Sequence, residues 1–223
     1  MNIPFTVDQF LDVFQSYNLS VWPLQILFNL VAVLLVYFCF KENKHSDKII
    51  LFSLSFFWLW IGIVYHLLFF SQINPAAYAF SAIYILQSVL FIIAAIKNQI
   101  DFKFEISLFS LTGAVFILYA LLVYPILGVA FGHTYPRNPT FGLPCPTTIF
   151  TFGILLFARN KIPIYLIGIP LIWSIVGFTA ALKLGIAEDI GLLVAGLIGS
   201  MLIILNKKSD KPQAVNRSLN KKL

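Results

Sequence analysis

A succession of apolar runs, most of them close to twenty residues long and joined by short polar links, constrains this chain more than any other feature. At about 1.5 Å rise per residue, about 20 apolar residues carry a helix across about 30 Å of hydrocarbon. Runs of this kind occupy about 22–40, 49–70, 76–96, 106–127, 146–158, 162–182 and 190–205. Apolar residues make up 60% of the chain and charged ones 11%, with a mean hydropathy of +0.90. Soluble domains carry about 45–50% and about 25% respectively, so a soluble core cannot hold this chain. The expectation is an all-α polytopic membrane bundle of seven transmembrane helices, with the lipid bilayer as its first partner.

Three regions are expected. Residues 1–21 read as an amphipathic helix on the outer surface: Thr6 and Gln9 have capping-box spacing, and Val7, Phe10, Leu11, Phe14 and Tyr17 recur at helical intervals. Residues 22–205 form the seven-helix domain, and 206–223 a basic, disordered cytoplasmic tail. The leader before Trp22 is acidic and lacks Lys and Arg, the wrong n-region for a cleaved signal peptide, so the N-terminus is expected to be mature.

Basic residues stay preferentially in short cytoplasmic loops, which orients the chain. Lys41, Lys44 and Lys48 fall in one loop, Lys97 and Lys103 in another, Arg159 and Lys161 in a third, and six more in the tail. These thirteen share one side, against Arg137 and Lys183 on the other. The N-terminus is therefore expected outside and the C-terminus in the cytoplasm. The run from Pro146 to Ala158 reaches only about 20 Å as a helix, and a re-entrant path is its alternative. If it did not cross, nine of the fifteen basic residues would lie outside, so crossing is favoured. Phe141 to Cys145 is then expected to enter as non-helical backbone, tolerated only where protein or a polar cavity satisfies it.

Small residues recur at i, i+4, i+8 in the last two runs: Gly177, Ala181, Gly185 and Gly191, Ala195, Gly199. Such stripes let helices approach closely in lipid.

Chemistry-bearing groups concentrate on one side. Four prolines within Pro136–Pro146 preclude a regular helix there. Helix five is expected to begin at Pro146 with Cys145 just before it near the N-cap, its free N–H groups open to an anion or polar ligand. His66 falls a turn or so below the outer surface, and an ionisable group inside a span marks a functional site unless a tyrosine or carbonyl merely holds it. Gln87 and Asn29 sit in spans as residues that join helices by hydrogen bonds. His66, Asn74, Gln87, His133, Arg137, Cys145, Lys183, Glu188 and Asp189 all fall in the outer half or at its mouth, so a site should open outward. Cys39 and Cys145 fall at opposite faces, too far apart for the about 4.4–6.8 Å of a disulfide. No cofactor is expected. C-x-x-C and Cys/His clusters are absent, the last run has no lysine for a retinal Schiff base, and three histidines cannot supply the four axial ligands of a diheme cytochrome.

The segments Phe5-Thr6 … Gln9-Phe10 … Tyr17-Asn18 … Val21-Trp22-Pro23, Tyr65-His66 … Ile73-Asn74-Pro75, Tyr135-Pro136 … Phe141-Gly142 … Pro144-Cys145-Pro146-Thr147-Thr148, and Glu188-Asp189 … Gly191 together resemble a family of bacterial multi-pass membrane proteins known only as domain of unknown function 6064. The likeness spans nearly the whole chain and implies a bacterial inner-membrane domain. It implies no activity.

Three functions stay open. The first is a permease or channel-like protein for a small solute or ion, with a polar outward site made of His66, Gln87, Arg137, Cys145, Thr147 and Thr148. The second is a membrane-embedded enzyme using Cys145 or His66, although H-E-x-x-H and G-x-S-x-G are missing. The third is a structural or interaction subunit without its own ligand. No nucleic-acid partner is expected, and oligomeric state is not legible.

Overall fold

The computed structural model describes residues 4–41 and 43–205, and among these it is all-helical apart from two isolated bridges. The expected basic tail, 206–223, lies outside the described residues.

Helix α1 (Val7–Val21) opens on the anticipated capping box, Gln9 N–H donating to Thr6 Oγ1 and Thr6 N–H to Gln9 Oε1. It meets α2 (Leu24–Phe40) at a bend of 84°. Helix α3 (Ser46–Trp60) runs on through nine residues of π-helix, Ile61–Phe69, and one 3₁₀ turn, Phe70–Gln72. Helix α4 spans Ala77–Ile96. Helix α5 (Leu108–Leu118) leads through a second π segment, Tyr119–Val123, into α6 (Tyr124–Ala130). Helices α7 (Pro144–Leu155), α8 (Tyr165–Leu184) and α9 (Ile190–Leu205) complete the chain, with the 3₁₀ turn Ala187–Asp189 before α9.

Five of these helical stretches are long and apolar enough to cross a membrane, and the bent pair α1–α2 makes up to six. A helix stands at each of the seven apolar runs, but the structure does not reach the expected seven spans by length. The α7 helix has twelve residues, about 18 Å, and α2 reaches the threshold only together with α1. Large apolar side chains such as Leu30, Val33, Leu118, Leu182 and Ile204 face outward around the bundle, the arrangement a lipid-facing surface requires.

The links gather at two ends. At one, Phe104 N–H donates to Cys39 O (2.7 Å), Phe102 N–H to Asp47 Oδ1 (2.9 Å) and Arg159 N–H to Asp101 O (2.8 Å). At the other, Asn18 Nδ2 donates to Pro136 O and Asn138 O, both 2.8 Å, and Arg137 pairs with Asp8 and Asp12 of α1.

Helix α7 sits at the centre, with eleven of its twelve residues buried, against 33% to 56% of an 18-residue apolar stretch in each of the five long helices. It packs on α5 through a glycine pair: a Cβ on Gly113 would stand 2.6 Å from Gly153 O. The stripes in α8 and α9 are only partly used as anticipated. Gly177 accepts Leu192 and Gly196 accepts Ser174 across the α8–α9 contact, whereas Gly191 faces Tyr119, Gly199 faces Phe152 of α7, and Gly185 is a left-handed cap with open space around it.

Candidate functional site

Two local features build one cavity. The first is the π-helical continuation of α3. An i→i+5 turn is rarely adopted and tends to occur at functional positions, because it re-aims side chains that an α-helix would space evenly. Here it carries Tyr65 and His66, both buried. The second is the proline-broken stretch before α7. Asn18 clamps it, since beyond its two donated bonds its Oδ1 accepts from Thr140 Oγ1 (2.8 Å). Tyr17 adds a bond to Gly142 O (3.2 Å) while accepting from Trp60 Nε1 (2.9 Å). Gly142 has φ +100°, and a Cβ there would stand 2.5 Å from the Phe28 ring, so a glycine is required on both counts.

Between these features lies a cavity of about 490 Å³, within the roughly 300–1,000 Å³ typical of small-molecule sites. Phe5, just before α1, and Phe10 and Phe14 of α1 roof it. The rim is formed by Pro4, Ala76, Thr179 and Lys183, all exposed. The deep wall holds Tyr65, His66, Tyr124, Cys145, Trp173 and Asp189.

His66 is fully buried, and neither ring nitrogen has a hydrogen-bond partner among the described residues. It does not share a bond with a tyrosine or carbonyl. Rings enclose it instead, with centroids at 4.8 Å for Tyr84, 5.1 Å for Tyr65, 5.2 Å for Trp173 and 5.7 Å for Phe80. An orphaned polar group in such surroundings costs about 1–3 kcal/mol. The Cys145 thiol, the Asp189 carboxyl and the Trp173 indole line this wall together. Asp189 Oδ1 also accepts from Tyr124 OH at 2.6 Å. Beside it, Glu188 holds His133 Nδ1 at 3.0 Å through Oε1, and its backbone carbonyl accepts from Tyr119 OH at 2.7 Å.

Of the anticipated site residues, His66 and Cys145 share this cavity with Asn74, Lys183 and Asp189. The others are used elsewhere. Gln87 Nε2 donates to Leu166 O (3.0 Å) and ties α4 to α8. Arg137 lies on the surface, bound to Asp8 and Asp12 at 3.1 and 2.9 Å. Thr147 Oγ1 accepts from Gly142 N–H, and Thr148 Oγ1 donates to Pro144 O. Asn29 bonds Gln25 O within its own helix and joins nothing. The helix start also differs: Leu143 is the N-cap of α7, and Cys145 is already its second residue. Pro144 and Pro146 have no N–H, and Thr147 N–H returns to Leu143 O (3.3 Å), so little of the expected anion-binding terminus remains. The polar site anticipated from sequence is thus a mainly aromatic chamber with a small polar floor. Both cysteines are free, and no group of three or more metal-ligating side chains occurs among the described residues.

The family model described as "Family of unknown function (DUF6064)" matches residues 7–214. The chain belongs to this family. That match runs from the first residue of α1 past the end of α9 and takes in every chamber-lining residue except Pro4 and Phe5. No curated protein and no solved structure matches the chain significantly.

Proposed function

We propose that this protein threads the inner membrane of a bacterium seven times, N-terminus outside and C-terminus in the cytoplasm, and that it takes up a small solute from outside at the chamber beneath α1. His66 carries the reading. A buried imidazole with both nitrogens unmet, at the wall of a chamber of about 490 Å³, is expensive in a fold unless a ligand completes it. The grouping of links at two ends supports the topology. The end joining α2 to α3, α4 to α5 and α7 to α8 collects Lys41, Lys97, Lys103 and Arg159, as a cytoplasmic face should.

The enzyme reading gains one observation, that His66 and Cys145 border the same chamber. It loses another, because neither ring nitrogen of His66 has a hydrogen-bond partner among the described residues, so the imidazole is not paired with the Cys145 thiol. A small-solute permease-like role is therefore preferred. Proteoliposomes bearing the full chain, screened for uptake against a panel of amines, alcohols, organic acids and simple ions, test it. Uptake of at least one class, lost in His66→Phe, is expected. Silence across the panel, together with no ligand-dependent shift in Tm, overturns it.

A further inference from the structure

The geometry points to an organic amine as the occupant of the chamber: an ammonium head on a small, largely apolar body, the head lying between Asp189 and His66. This rests on the chamber being a solute site.

The sign of the charge comes from the floor. Asp189 lines it together with Cys145, and its carboxyl accepts from the Tyr124 hydroxyl at 2.6 Å; neither of these neighbours carries positive charge. The neighbouring carboxylate, Glu188, is directed to His133 through one oxygen. The Lys183 ammonium stands at the exposed rim of the chamber, not on its floor. An anion would have to approach Asp189 at a helix start whose first and third residues are prolines without N–H groups. A cation meets an acidic side chain instead, whose ionised form a nearby positive charge favours.

The walls agree. Tyr65, Phe70, Phe80, Tyr84 and Trp173 surround His66, and Phe10 and Phe14 close the roof. Aromatic faces carry negative quadrupole potential and attract a desolvated ammonium. The same faces accommodate an apolar body. His66 completes the match, because the lone pair of a neutral imidazole accepts an N–H that a neutral hydrocarbon cannot offer.

The test uses the full chain in lipid nanodiscs and three probes of one shape and different charge: phenethylammonium, phenethyl alcohol and phenylacetate. Binding is read by calorimetry and by the fluorescence of the wall tryptophan. On the unaltered protein the ammonium should bind at least about tenfold more tightly than the alcohol or the acid, the scale of a desolvated cation–π contact. Asp189→Asn should lower ammonium binding to the level of the alcohol and leave alcohol binding in place, which reports that the chamber is still formed. Equal affinity for ammonium and alcohol, as a chamber built for an apolar tail would give, overturns the amine, and so does tighter binding of phenylacetate. In either case the solute site stands. No binding of any probe overturns both readings.

Discussion

At the level of single residues, His66 and Gly142 show opposite kinds of constraint. Gly142 serves the fold: its positive φ and the Phe28 ring leave no room for a Cβ. Gly142→Ala should therefore lower stability by about 2–4 kcal/mol, combining backbone strain with overpacking. Thermal unfolding in detergent checks this, and an unchanged Tm would show that the proline-rich stretch is not held as described. His66 burdens the fold, having two buried nitrogens without partners. Replacing a badly satisfied polar group by an apolar one of similar shape removes that cost. His66→Phe should raise stability by about 1 kcal/mol while abolishing the response to solute. A fall in Tm with solute binding intact would mean that the imidazole is structural. Sequence alone singles out His66 and Cys145, since an imidazole inside an apolar run and a cysteine among prolines are both conspicuous. It groups Asp189 with these two without revealing that all three line one chamber, because Cys145 and Asp189 stand 44 positions apart in sequence. Trp173 is hidden for a plainer reason: a tryptophan in an apolar run looks like any other wall residue.

Among the elements, α5 and α7 cross backbone against backbone. Gly113 faces Gly153 O so closely that no side chain fits. Gly113→Ala should cost about 2 kcal/mol or more, because the obstacle is backbone that cannot rotate away. Gly168, inside α8 with nothing within 4 Å of a Cβ, is the matched control. Gly168→Ala should be neutral or stabilise by up to about 1 kcal/mol through helix propensity alone. Parallel melting curves of the two variants check the contrast, and similar losses in both would point to helix softness in place of the crossing. Helix positions are legible in the sequence because each apolar run ends at a polar or proline-bearing link. The start of α7 is not, since prolines suit the first helical turn and break a helix equally well. The π segments are not legible either: Ile61–Phe69 is as apolar as an ordinary helix, and its wider turn is set by what it packs against.

For the molecule as a whole, the decisive quantity is the number of times α7 and its neighbours carry the chain across. On the proposed topology, alkaline phosphatase inserted at Gly132–His133 should be active in intact cells. A C-terminal fluorescent fusion should glow, and phosphatase inserted at Asn160–Lys161 should be inactive. Activity at both insertion sites would place the links before and after α7 on one side, making α7 re-entrant and reversing α8 and α9. Positive charge makes the proposed arrangement readable from sequence, because the short links assigned to one side and the stretch after the last apolar run together carry eleven of the twelve lysines. The chamber is less readable. It arises where α1 folds back at 84° over the ends of α3 and α8, and no local pattern encodes that meeting.

The burial of α7 carries a consequence for how the chain is made. A helix sheathed by protein on every side, with Thr147, Thr148 and Thr151 turned inward, gains little from dissolving in lipid by itself. Its sheath includes α8 and α9, which the ribosome supplies only afterwards. On the proposed topology the fifth apolar run waits, sheltered by the insertion machinery or by the earlier helices, until the last two arrive to enclose it. Fifth in the order of synthesis, it is the last to reach its final surroundings.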